Sequence, residues 1–177
     1  ATVRGTEFPD ETIVIGAHRD AWGSGAVDNV SGTVSVLEAA RAVAELVAAG
    51  HRPKRTLVFA TWDAEEWGLI GSTEWVEDMA DSLREHVVAY INEDGVVSGP
   101  NFGGAASPSL KRLFRVAARA VPDPSGAGTV HDVWLRRTGA QLDSVRVEVD
   151  EVRLPIGHVA SSGFRRGQEA VVRETSI

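Results

Sequence analysis

Two adjacent glutamates, Glu65 and Glu66, follow an apolar run that has the composition of a buried strand. Two like charges at such a position are costly unless a cation compensates them. A metal ion would take one carboxylate, and the other would accept a proton from a water molecule at the metal. The alternative is a solvated acidic turn without a chemical role. Trp62 and Trp67 flank the pair and are large enough to exclude water.

Further candidate ligands precede this pair in the sequence. His18 and Asp20 are two residues apart, so in an extended segment they share a face and the carboxylate can orient the imidazole. Asp28 lies in a glycine-bordered loop, where the two oxygens of one carboxylate can bridge two cations. Taken singly, these residues are more typical of a surface histidine and of solvated, turn or helix-capping aspartates than of metal ligands. Their combination with the glutamate pair indicates a metal-dependent hydrolase.

The next predicted strand also ends in acidic residues, Glu93 and Asp94. Either residue can be a ligand, and spacing alone does not choose between them. We expect the remaining histidines to be surface residues more often than ligands: His51, His86, His131 and His158.

Strands and helices alternate along the part of the chain that must position these residues. The predicted strands are residues 12–17, 57–62 and 87–91, and the predicted helices begin at Ser31, near Ser72 and at Pro108. Ser31 can cap the first helix, whose apolar residues recur at helical spacing: Val34, Leu37, Val43, Leu46 and Val47. This alternation predicts an α/β fold with a parallel sheet, which binds ligands at the carboxyl ends of its strands.

Composition limits the class of protein. The chain has 177 residues, of which 43% are hydrophobic and 24% charged, as is ordinary for one globular domain. A net charge of −7 without a strong basic stripe argues against a nucleic-acid partner. The absence of cysteine excludes disulfides and thiolate metal ligands. No apolar run approaches the ~20 residues of a membrane-spanning helix.

Three segments of the chain resemble a known family. They are residues 15–22 (Ile-Gly-Ala-His-Arg-Asp-Ala-Trp), 26–32 (Ala-Val-Asp-Asn-Val-Ser-Gly) and 62–75 (Trp-Asp-Ala-Glu-Glu-Trp-Gly-Leu-Ile-Gly-Ser-Thr-Glu-Trp). These segments resemble the two-zinc exopeptidases, which include aminopeptidases and the branch of glutamate carboxypeptidase II and the transferrin receptor. The third segment resembles that branch more than it resembles simple aminopeptidases. The resemblance is good over residues 1–100 and is not established over residues 122–177.

The resemblance implies a cofactor of two zinc ions and a fold. His18 and Asp94 would bind one zinc ion, Asp28 would bridge both, and Glu66 would bind the second. This assignment favours Asp94 over Glu93. The implied fold is an α/β three-layer sandwich whose mostly parallel mixed sheet is flanked by helices.

The resemblance also implies an activity. Glu65 would be the general base on a water that bridges the metals, and Asp20 would support the site from behind the ligands. The expected reaction is hydrolysis of a terminal peptide bond in a peptide substrate, most like that of a glutamate carboxypeptidase. The alternatives are an aminopeptidase of the same family and a non-catalytic binding domain like the transferrin receptor ectodomain. A homodimer, and export or membrane anchoring, are expected only of the full-length protein.

The end of the chain departs from the family pattern. The family completes its second zinc site with a histidine near the C-terminal end, and Thr175 stands near the expected place. Without that histidine, His158 is the candidate for a fifth ligand. The family's Gly-Ser-Gly substrate loop is also missing. We therefore expect residues 1–177 to be one truncated catalytic domain, divergent or out of reading frame after about Thr138.

Overall fold

The fold is organised around a sheet whose central strand carries His18 at its end. The structure is a computed structural model that describes residues 1–97, 99–138 and 170–172. The strands are β1 (Thr2–Val3), β2 (Phe8–His18), β3 (Arg55–Trp62), β4 (Val87–Asn92) and β5 (Ala170–Val172). Their order in the sheet is β1-β3-β2-β4-β5. The inner strands β3, β2 and β4 run parallel, and the outer strands β1 and β5 are antiparallel to their neighbours.

Helices cover both faces of this sheet. The described α-helices are α1 (Ser31–Ala48), α2 (Ile70–Asp78), α3 (Ala80–His86), α4 (Lys111–Ala120) and α5 (Val130–Thr138), of which α1 to α3 lie against the sheet. Because side chains alternate along a strand, Ala17 and Phe59 face α1 and pack against its Val36. The other face of the sheet meets α2 and α3, where Val76 and Leu83 pack together. The predicted mixed, mostly parallel sheet flanked by helices is therefore confirmed.

Helix boundaries differ from the sequence-based prediction in three places. The helix predicted to begin at Pro108 starts with the 3-10 turn Pro108–Leu110 and becomes α4 only at Lys111. Ser31 does not cap α1, because Val30 precedes the helix and the Ser31 hydroxyl instead donates a hydrogen bond to the carbonyl oxygen of Val27 at 2.6 Å. The helix predicted to start near Ser72 is two helices, since it begins at Ile70 and is interrupted at Met79.

The helices that follow β4 form a small cluster of their own. Ala118 of α4 and Trp134 of α5 are buried against each other with Val130, and Phe102 meets the Trp134 ring edge-on at 5.2 Å. The sequence pattern did not predict α5, and the expectation of a surface position for His131 is wrong because this residue is buried. None of the described helices has the length and apolar character needed to cross a membrane.

Candidate metal centre

Three of the candidate residues are brought together by the parallel pairing of β2, β3 and β4. His18 is the last residue of β2 and lies in register with Trp62, the last residue of β3. Glu65 follows three residues later, and Asp94 follows two residues after the end of β4. Since parallel strands end at the same edge, these side chains share the carboxyl edge of the sheet.

The imidazole of His18 is the centre of the cluster. It is only 4% exposed, and its Nε2 lies 3.1 Å from Asp28 Oδ1 and 3.4 Å from Asp94 Oδ1. Glu65 Oε2 lies at 3.8 Å from the same nitrogen. Asp28 reaches the cluster from the irregular turn Ala26–Val30 that leads into α1. One ligand atom each from His18, Asp28 and Asp94 lies within 4.8 Å of the other two.

The two ring nitrogens of His18 have surroundings that fit a metal ligand. Its Nδ1 lies 3.1 Å from the backbone carbonyl oxygen of Asp20, which suits donation from an Nδ1–H group and leaves Nε2 as the metal-binding nitrogen. Nε2 is buried and makes no hydrogen bond to any described residue, although carboxylate oxygens surround it. A buried nitrogen without a partner among carboxylates is the arrangement expected of ligands that face a cation.

The electrostatics of the cluster agree with this fit. Burial lowers the pKa of His18, but the carboxylates of Asp94, Glu65 and Asp28 outweigh burial and raise that pKa to about 9. Burial also raises the pKa of Glu65, an effect that His18 opposes and Asp94 reinforces. The site therefore attracts positive charge, whether a proton or a metal ion.

Asp20 holds the glutamate turn in place. Its two carboxylate oxygens accept hydrogen bonds from the backbone N–H groups of Glu65 at 3.0 Å and Glu66 at 3.1 Å. Its Oδ1 also lies 3.4 Å from His18 Nδ1. The carboxylate of Asp20 thus lies on the Nδ1 side of the imidazole, and its supporting role stays a prediction. Its anchoring of the two backbone amides is a contact that sequence reasoning missed.

Glu66 is a predicted ligand outside the group of described residues that could hold a metal, which consists of His18, Asp28 and Asp94. Its backbone N–H bonds to Asp20, and its carboxylate acts on Glu65 electrostatically. His158 lies outside the residues that the structure describes. The roles of both side chains stay predictions.

Asn29 joins the loop of one candidate ligand to the strand end of another. This fully buried side chain donates from Nδ2 to the carbonyl oxygen of Glu93 at 2.9 Å. Its Oδ1 accepts hydrogen bonds from the N–H groups of Gly32 at 3.0 Å and Gly95 at 3.2 Å. Asn29 thus connects Asp28 with the backbone on both sides of Asp94. Sequence reasoning missed this role, and its only local signal was an asparagine beside Asp28 in a glycine-bordered loop.

Aromatic side chains surround the site. Trp62 lines a largely apolar cavity that His18, Glu65 and Asp94 also border. Trp67, which was expected to exclude water, is 68% exposed and packs against Trp22, with their ring centroids 4.7 Å apart.

Comparisons with known proteins converge on one family. The family model described as Peptidase family M28 matches residues 1–166. The chain is 47% identical over 134 residues to the probable glutamate carboxypeptidase LAMP1 of Arabidopsis thaliana, covering 75% of this chain and 20% of that protein. It is 40% identical over 139 residues to the aminopeptidase NAALADL1 of Mus musculus, covering 77% and 19%.

A solved structure shares the fold. The Peptidase M28 precursor from Shewanella amazonensis aligns with 78% of this chain and 33% of its own, with a TM-score of 0.55 and 25% identity. The chain itself spans about a fifth of the length of the curated relatives named above.

Proposed function

Since this chain belongs to peptidase family M28, we propose that it is part of a metal-dependent exopeptidase that hydrolyses a terminal peptide bond of a peptide substrate. The observation that carries the proposal is the buried Nε2 of His18, which lacks a hydrogen-bond partner and faces Asp28, Asp94 and Glu65. The family is generally metal-dependent, and this arrangement supplies ligands that a divalent metal ion can use.

The proposed cofactor is a pair of zinc ions. His18, Asp28 and Asp94 would hold them, with support from the geometry of the cluster. Glu66 would bind the second zinc ion and His158 is the candidate for the remaining ligand, and both assignments rest on the sequence alone. A histidine nitrogen with carboxylate oxygens is a common zinc-ligand set.

The catalytic part of the proposal concerns Glu65. When bound, the zinc ions would supply Lewis acidity that lowers the pKa of a water molecule and polarises the scissile carbonyl. Glu65 accepts a proton from the attacking water and transfers it to the amine nitrogen as the C–N bond breaks. Asp20 fixes the backbone from which Glu65 projects.

The test is the variant Glu65→Gln, measured for both metal content and turnover. We expect the variant to hold as much zinc as the parent chain and to lose about 10²–10⁴-fold in kcat, because the amide cannot accept the proton. Glu85→Gln is the control, since the side chain of Glu85 is 76% exposed at the end of α3. Near-normal kcat in Glu65→Gln would overturn the assigned role. Loss of zinc together with activity would make Glu65 a ligand instead.

A second candidate is an aminopeptidase rather than a carboxypeptidase. The charged groups around His18 in the described cluster are carboxylates. A carboxylate whose charge the zinc ions do not neutralise would attract a free amino terminus and repel a free carboxylate. Two matched peptides separate the candidates: one with a free amino terminus and an amidated end, the other acetylated and ending in glutamate. Cleavage of only the first would favour the aminopeptidase. Failure of a zinc-loaded chain to cleave either would favour a binding domain.

A further inference from the structure

Gly16, near the end of the central strand, leaves a gap that two aromatic side chains fill. A Cβ atom at this position would lie 2.7 Å from Trp62 Nε1 and 2.9 Å from the Tyr90 hydroxyl oxygen. Trp62 belongs to β3 and Tyr90 to β4, the two strands on either side of β2. The side chains of the flanking strands therefore meet across the central strand because residue 16 has no side chain.

A directed chain of hydrogen bonds crosses this gap. Trp62 Nε1 donates to the Tyr90 hydroxyl at 2.9 Å, and that hydroxyl donates to Asn92 Oδ1 at 2.9 Å. The indole N–H can only donate, so the hydroxyl of Tyr90 must accept from Trp62 and donate onward. Burial raises the pKa of Tyr90 above its ordinary value, which keeps the hydroxyl proton in place.

The chain lies next to the metal-binding cluster. Residues two apart on a strand share a face, so the gap at Gly16 opens on the face that carries His18. The cavity that Trp62, Tyr90 and Asn92 line is also bordered by His18. Residue pairing between β2 and β4 ends at Asn92, two residues before Asp94.

We propose that Tyr90 is a positioning residue for the metal centre, whose hydroxyl links Trp62 to Asn92 and so fixes the ends of β3 and β4 on either side of His18. The inference rests on the proposed metal-binding function. Asp94 follows the paired part of β4, where the Glu93 N–H donates to the carbonyl oxygen of Gly16 and Asn29 bonds to both neighbours of Asp94. Tyr90 acts on this segment through Asn92, the strand residue from which the segment continues. A ligand set tolerates little displacement before its affinity for a metal falls.

The experiment compares Tyr90→Phe with the parent chain in the full 177-residue protein. Zinc affinity is measured by competition with a chelator, and the visible absorption spectrum of the cobalt-loaded protein reports the geometry around the metal. We expect zinc affinity to fall about tenfold or more, as for other residues that orient metal ligands, and the cobalt bands to shift. Ser72→Ala is the control, because it removes another buried hydroxyl group from the same cavity wall, one that bonds to Leu69. It should change neither quantity.

The outcomes separate this inference from the proposed function. A Tyr90→Phe variant with the parent's zinc affinity and cobalt spectrum would overturn the inference and leave the proposed function intact. A parent chain that binds no zinc would overturn both. If Tyr90→Phe does not fold, Trp62→Phe removes the donor at the other end of the chain and should shift the cobalt bands in the same way. Unchanged bands in a folded Trp62→Phe would contradict the inference.

Discussion

Among single residues, Asp20 has the most consequential contacts outside the ligand cluster. Both of its oxygens accept backbone N–H groups from the turn that carries Glu65 and Glu66, while Oδ1 also approaches His18. A carboxylate can accept two such bonds at once, whereas an amide presents one oxygen and one donor. The two side-chain oxygens of Asp20 are therefore part of the architecture of the site.

This contact predicts the effect of Asp20→Asn. The amide nitrogen would face a backbone N–H, so one of the two hydrogen bonds is lost and a donor is left unpaired. We expect the free energy of unfolding to fall by roughly 1–3 kcal/mol, read from denaturant titration. Asp81→Asn is the control, since the side chain of Asp81 is fully exposed on α3 and its ion pair with Arg84 is a surface pair that contributes little. It should change the free energy of unfolding much less than Asp20→Asn. Equal stability of Asp20→Asn and the parent would contradict the anchoring role.

Asn29 gives a second prediction for a single residue. Asn29→Asp keeps the shape of the side chain but replaces the donor to the Glu93 carbonyl with a carboxylate oxygen, so two acceptors face each other. We expect a lower melting temperature, and weaker zinc binding because Asp28 and Asp94 lose their link. Asn101→Asp, on an exposed residue, is the matched control for added charge. Unchanged zinc affinity in a folded Asn29→Asp would show that the link is dispensable.

At the scale of elements, the start of α1 packs against the end of β4 with no space for a side chain. A Cβ atom at Gly32 would lie 2.0 Å from the carbonyl oxygen of Glu93 and 2.4 Å from Asn29 Oδ1. Gly32→Ala must therefore push α1 away from the end of β4. We expect it to lower the free energy of unfolding by about 1–3 kcal/mol. Thermal unfolding measures this loss. Gly103→Ala, with no atom within 4 Å of the added carbon, should be neutral. A stable Gly32→Ala would mean that the helix shifts easily.

The local sequence pattern predicted the strands better than it predicted the buried face of α1. Strand composition predicted the positions of β2, β3 and β4 within a few residues, because a buried strand is recognisable from its own residues. The alternation of strands and helices predicted that these strands are parallel. The helical period of apolar residues predicted α1 but only part of its buried face, since Val43 packs against the core whereas Val34, Leu37 and Leu46 are exposed. An alanine-rich helix offers several weakly apolar faces, and the sheet selects among them by fit.

The candidate site was predictable to the extent that it depends on strand ends. Parallel strands bring their carboxyl ends together, so the proximity of His18, Glu65 and the pair Glu93-Asp94 followed from the alternation of elements. The choice of Asp94 over Glu93 came from the family resemblance. The roles of Asn29 and Tyr90 did not follow, because Asn29 bonds to a carbonyl group 64 residues away and Tyr90 bonds to an indole 28 residues away. Such partners are set by tertiary packing, which a single sequence does not display.

On the scale of the whole molecule, the carboxyl edge of the sheet concentrates negative charge in a chain that is already acidic. The net charge is −7, and several of its carboxylates surround one buried imidazole. Without a cation these groups repel one another and oppose folding, apart from the relief that a protonated His18 gives. Binding of a metal ion to this edge should therefore stabilise the three layers that meet there.

This argument predicts that zinc raises the melting temperature of the chain. A ligand that binds only the folded state at 100 times its dissociation constant stabilises it by about 2.7 kcal/mol. For a domain of this size that corresponds to a rise of roughly 5–10 °C in the melting temperature, measured by thermal unfolding with zinc and with excess chelator.

The variant His18→Ala should lose this rise in melting temperature, whereas Glu65→Gln should keep it because Glu65 is assigned to proton transfer. Magnesium should give little effect, since it prefers oxygen ligands and octahedral geometry. Identical melting with zinc and with chelator would show that this edge does not bind zinc, and a rise that persists in His18→Ala would place the zinc elsewhere.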